Sequence, residues 1–134
     1  MTVFFDASAL LALHIDGGMH AVVVEELRTD TSWCASALAL TEALAAATRL
    51  TDEPVLQDAI EESVRRTWDF LHVVPVDQRC LDDATALMSQ QPVGTSAALH
   101  LAAASRLPQP VRFVTFDASQ IPVALSLGFD VVSI

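Results

Sequence analysis

The chain has 134 residues, 52% of them hydrophobic, and a formal charge of −10. That is enough apolar matter for one domain with a proper core, so a disordered chain is excluded. All seven basic residues are arginine, which argues against the broad basic face of a non-specific nucleic-acid binder but suits bidentate phosphate contacts.

Taken in chain order, Thr2 to Phe5 reads as a short buried strand. Ala7 to His14 reads as a helix with Asp6 as its N-cap. Gly17-Gly18 breaks it, and Met19 to Arg28 resumes as a helix with Val22, Val23 and Leu27 inward. Thr31 to Ala35 is a second strand. Ser36 caps an alanine-rich helix, Ala37 to Leu50. Pro54 opens a long helix that runs to about Phe70. His72 to Val76 is a third strand, which Pro75 cuts short or confines to a sheet edge. Asp77 caps a helix to about Ser89. Gln91-Pro92-Val93-Gly94 is a turn, and Thr95 or Ser96 caps a helix to Arg106, ended by Pro108 and Pro110. Val111 to Phe116 is a fourth strand, Ser119 to Leu127 a last helix with Gly128 at its C-cap, and Phe129 to Ser133 a fifth strand. The alternation predicts one α/β domain spanning residues 1–134, with a mostly parallel five-stranded sheet covered on both faces.

No apolar run is long enough to span a membrane, since Asp6, His14, Asp16 and Glu25 interrupt the first one. The N-terminal region lacks the basic start and cleavage site of a signal peptide. A cytoplasmic protein without membrane attachment is expected. Cys34 and Cys80 are too few for a disulfide framework and read as buried thiols.

Three acids sit in apolar settings. Asp6 and Asp117 each follow a strand, at the carboxyl end where open α/β sheets place their ligands. Either could also simply cap the helix that follows. Glu42 shares a helical stripe with Leu38, Ala45 and Ala46, read as the apolar face, where a glutamate pairs or binds something; Arg49, two turns on, is the ordinary alternative partner. Carboxylates converging without basic partners form a Mg²⁺ or Mn²⁺ environment. Such an ion supports phosphodiester hydrolysis by acidifying water and neutralising charge on the phosphate. His14, His20, His72 and His100 show no zinc spacing, and no Gly-rich phosphate loop or nucleophile elbow is present. Glu61-Glu62 with Arg65-Arg66 reads as surface pairing, and Trp33 and Trp68 as core or interface residues.

Four segments resemble the motifs of PIN domains. They are Val3-Phe4-Phe5-Asp6-Ala7-Ser8-Ala9-Leu10-Leu11, Leu40-Thr41-Glu42-Ala43-Leu44 through Arg49, Ala98-Leu99-His100-Leu101-Ala102-Ala103-Ala104, and Val114-Thr115-Phe116-Asp117-Ala118-Ser119-Gln120 followed by Ala124, Leu127-Gly128-Phe129 and Val131. They occur in order over essentially the whole chain, whose length is similar to that of VapC toxins. The resemblance implies a three-layer α/β/α fold and a metal-dependent endoribonuclease acting on structured RNA such as tRNA or rRNA. It also implies a small cognate antitoxin and a homodimer. By the same likeness Asp6 and Glu42 fall on metal-binding acids, Asp117 on a fourth acidic position, and Ser8 and Thr115 beside them. One departure stands out: the third motif usually begins with an aspartate, and here that position is Ala97. Impaired activity is therefore expected, through either a naturally degenerate member or an introduced Asp→Ala change. The intact remaining motifs favour the second. The competing reading is a PIN fold without catalysis that binds RNA or antitoxin.

Overall fold

The computed structural model describes residues 2–15, 17–29 and 32–133. Its strands are β1 (Thr2–Phe5), β2 (Trp33–Ser36), β3 (His72–Val74), β4 (Val111–Val114) and β5 (Asp130–Val132). They form one sheet in the order β3-β2-β1-β4-β5, every described pairing parallel. Its α-helices are α1 (Ala7–Ala12), α2 (Gly18–Thr29), α3 (Ala37–Ala47), α4 (Pro54–Trp68), α5 (Gln78–Gln90), α6 (Thr95–Ser105) and α7 (Ile121–Ser126). A short 3₁₀ turn, Ala118–Gln120, precedes α7.

Strand alternation divides the core in two. Val3 and Phe5 point to one face, where Ala9, Leu10, Ala39, Ala43 and Val64 from α1, α3 and α4 cover them. Phe4 points to the other, with Val111, Phe113 and residues of α5, α6 and α7. On that face Phe4, Phe113 and Phe129 stack in a row, with ring centroids 5.4 and 5.8 Å apart. The result is the expected three-layer α/β/α arrangement. No helix among the described residues is long and apolar enough to cross a membrane.

Several boundaries differ from the sequence reading. β3 stops at Val74, before Pro75, and lies at the sheet edge, since a proline cannot extend the ladder. Thr31, the expected start of β2, lies outside the described residues; the strand runs from Trp33 and takes in Ser36. α6 begins at Thr95 with Gly94 in the cap position, so neither Thr95 nor Ser96 is the cap. The Thr95 hydroxyl instead lies 3.7 Å from the Met88 sulfur. The last helix is split, because Asp117 caps the 3₁₀ turn and Pro122 sits in the first turn of α7. Gly128 follows α7 at φ 84°, a left-handed C-cap conformation that glycine adopts without strain.

Candidate active-site cleft

Sheet order positions the site. From β1 the chain moves to β2 and β3 on one side, then crosses back to β4 and β5 on the other. The direction reverses between β1 and β4, where open α/β sheets leave a crevice at their carboxyl ends. Phe5 pairs with Val114, so Asp6 and Thr115 leave the sheet side by side.

Asp6 is 1% exposed. It does cap α1, accepting from the Ala9 amide at 2.9 Å. Capping is only one of its four bonds. The Ser8 hydroxyl donates to the same oxygen at 2.6 Å, and the other oxygen accepts from Thr115 Oγ1 at 2.6 Å and Gln120 Nε2 at 3.0 Å. Charge-assisted bonds of this kind offset the cost of burying an ionised carboxylate. Each hydroxyl also takes a backbone amide: Phe116 N donates to Ser8 Oγ at 2.9 Å and Asp117 N to Thr115 Oγ1 at 3.0 Å.

Asp117 is exposed at the cleft mouth. Burial of its carboxyl pushes the pKa up, but the Ser119 hydroxyl and amide and the Gln120 amide together hold it below the ordinary value. The Ser119 bonds measure 2.7 and 3.0 Å. Gln120 Nε2 thus reaches both acids, Asp6 at 3.0 Å and Asp117 at 3.3 Å. The Gln120 carbonyl oxygen is buried without a partner.

Glu42 enters from α3, but not on the face the sequence suggested. The fully buried stripe of α3 is Ala39, Ala43 and Ala47; Ala45 is exposed and Glu42 is half-buried on the flank. Its partner is His100 rather than Arg49: His100 Nε2 lies 2.5 Å from Glu42 Oε1. The other ring nitrogen, Nδ1, is 2.9 Å from Ser36 Oγ. Ser36 occupies the N-cap position of α3 yet makes no side-chain cap bond, because its hydroxyl is turned to the histidine. The His100 hydrogen bond holds the Glu42 carboxyl below its ordinary pKa, against burial and the like charge of Asp117. Ser36 is 0% exposed, so this Ser–His–Glu chain is a brace and not a nucleophile assembly.

Asp6, Glu42, Ala97 and Asp117 all line one cleft of about 360 Å³, together with Ser8, Arg49, Ser96, His100 and Gln120. Ala97 stands in the first turn of α6 and is 7% exposed. The remaining histidines lie elsewhere: His20 Nδ1 bonds the Leu13 carbonyl at 3.0 Å, His14 bonds Ser63, and His72 is exposed on β3. The cleft's donors are therefore carboxylates, which suit Mg²⁺ or Mn²⁺ over zinc. Among the described residues, however, no three His, Cys, Asp or Glu side chains gather closely enough to hold one ion. The residues fit such an ion in kind but stand too far apart to enclose one as they are placed.

Sequence reasoning missed two parts of this arrangement. The Ser36–His100–Glu42 brace was hidden because Ser36 reads as an ordinary cap and His100 as an ordinary buried residue. Gln120 had a faint signal, a long polar side chain three residues after a strand-end acid.

Residues 3–125 match the family model described as PIN domain. Solved structures share the fold at low identity. A toxin–antitoxin complex from Klebsiella pneumoniae aligns with a TM-score of 0.73 and 15% identity, over 98% of this chain and 96% of that one. FitAcB from Neisseria gonorrhoeae aligns at 0.76 and 12%, over 97% and 96%. Mycobacterium tuberculosis VapC20, described as a sarcin-ricin loop cleaving toxin, aligns at 0.70 and 14%, over 91% and 95%. Among curated proteins no sequence matches this chain.

Proposed function

Since this chain belongs to the PIN domain family, we propose that it is a metal-dependent endoribonuclease toxin of the VapC type, cutting structured RNA such as tRNA or rRNA and weakened by Ala97. The observation that carries this reading is the convergence of Asp6, Glu42 and Asp117, from three distant parts of the sequence, on one cleft at the sheet's switch point. Structural likeness to toxin–antitoxin complexes supports a small antitoxin as partner, and a homodimer is the expected assembly.

Asp6, Glu42 and Asp117 are the acids that would hold the ion, and they would have to draw closer together to do so. A bound Mg²⁺ or Mn²⁺ supplies neutralisation of phosphate charge and activation of water for attack on the phosphodiester. The chain's own groups prepare the site for it. Ser8, Thr115 and Gln120 orient both Asp6 oxygens by hydrogen bonds, and one of its four donors would give way to the ion. His100, braced by Ser36, holds Glu42 ionised on the opposite wall. Ala97 offers a methyl group where a further carboxylate would raise both affinity and negative charge.

A second reading keeps the fold without catalysis, as a module that binds RNA or antitoxin. It is favoured by Ala97 and by the absence, among the described residues, of three gathered ligand side chains. Ala97→Asp separates the two. With its fold intact by circular dichroism, this variant should cut total RNA in Mg²⁺ or Mn²⁺ where the present chain cuts weakly or not at all. It should also bind Mn²⁺ at least about 10–100-fold more tightly by titration, the range that even outer-shell partners command. An Ala97→Asp protein that is folded yet inert toward RNA leaves only the binding module.

A further inference from the structure

Building on the ribonuclease reading, we propose that Arg49 is the residue that anchors a phosphate of the RNA substrate in the cleft. The argument begins with the charge problem. A cleft lined by three carboxylates in a chain of net charge −10 repels a polyanion. A fixed side-chain cation at the cleft would offset that repulsion beside any bound metal ion.

Four of the seven arginines are already engaged by acids of the same chain. Arg65 pairs with Glu61 at 3.2 Å, Arg66 with Glu62 at 3.3 Å, Arg106 with Asp77 at 2.8 Å and Arg112 with Glu26 at 2.9 Å. Among the described residues Arg28, Arg49 and Arg79 have no such partner. Of these only Arg49 lines the cleft.

Its lack of a partner there is informative. Arg49 shares the cleft with Asp6, Glu42 and Asp117, yet none of them forms an ion pair with its guanidinium. Each acid has other donors: four bonds on Asp6, Ser119 and Gln120 on Asp117, His100 on Glu42. Arg49 is exposed where it lines the cleft, and the planar fork of a guanidinium matches two phosphate oxygens. The ordinary alternative is that Arg49, just past the last residue of α3, merely complements the helix dipole. That role would show in stability and not in RNA affinity.

The test uses the full chain in EDTA, with a short fluorescein-labelled RNA hairpin and fluorescence anisotropy, so that no metal contributes. Arg49→Ala should weaken binding about tenfold or more and reduce the salt slope by about 0.7, the value for one phosphate of a single strand. Arg49→Lys, which keeps the charge and loses the fork, should fall between. Arg28→Ala and Arg79→Ala should bind like the parent. Failure of the parent to bind the hairpin at low salt, or equal binding by Arg49→Ala, overturns the anchor. The outcome is separable from the nuclease reading. If Ala97→Asp is inert while Arg49→Ala still loses RNA, the nuclease reading falls and the anchor stands. If Ala97→Asp cuts RNA and adding Arg49→Ala leaves KM unchanged, the anchor falls and the nuclease stands.

Discussion

Asp6 shows how one side chain can serve fold and site together. Its oxygens take four donors, and only one is the helix cap that its sequence position advertises. Glu42 depends on a different device, the buried imidazole of His100 steadied by Ser36. Removing the ring by His100→Ala strands the Ser36 hydroxyl in the interior. That should cost about 1–3 kcal/mol in urea denaturation, the penalty of an orphaned buried polar group. It should also let the Glu42 carboxyl rise toward its ordinary pKa, which a carbon-detected NMR titration would follow. An unchanged Glu42 titration would show that His100 does not hold the acid. The strand-end acids were legible because a carboxylate straight after an apolar run is rare and costly. The brace and the Gln120 link were not, because they depend on which side chains face each other across packed elements, and residue type does not encode that.

Among the elements, α6 and α3 form an instructive pair. Both are rich in alanine, but α6 is buried continuously from Ala97 to Ala104 while α3 buries one stripe. Alanine has small size and high helix propensity, so it allows close packing and marks no face. That is why the α3 face was misassigned from sequence, whereas the strands, with their branched and aromatic residues, were placed to within a few residues. The difference is measurable. Ala102→Leu, buried in the core on α6, should lose about 1–3 kcal/mol through overpacking. Ala45→Leu, on the exposed side of α3, should stay within about 0.5 kcal/mol. Similar costs at the two positions in chemical denaturation would mean that the assignment of buried and exposed faces is wrong.

Across the domain as a unit, titrating groups make stability fall in two steps on acidification. His14 is half-buried, and its Nε2 has no partner. Burial, then His20 and Arg66, lower its pKa. The unfolded chain therefore binds this proton more readily than the native one, so stability declines as pH drops below about 6.5. Glu42 and Asp117 are also held low. Their contribution is fully present above the unfolded carboxylate values near pH 4 and disappears as pH falls through the lower folded ones. Melting temperature against pH should show both stages, and His14→Gln should remove the first alone. A single acid transition that His14→Gln leaves unmoved would contradict this.

The frame around Asp6 closes on itself: two hydroxyls, a backbone N–H and a side-chain amide complete it, and position 97 makes none of these bonds. That wall of the crevice is packed by α6 but takes no part in holding Asp6. Under the ribonuclease reading, an acid placed at position 97 would therefore join the crevice without dismantling the bonds that hold Asp6.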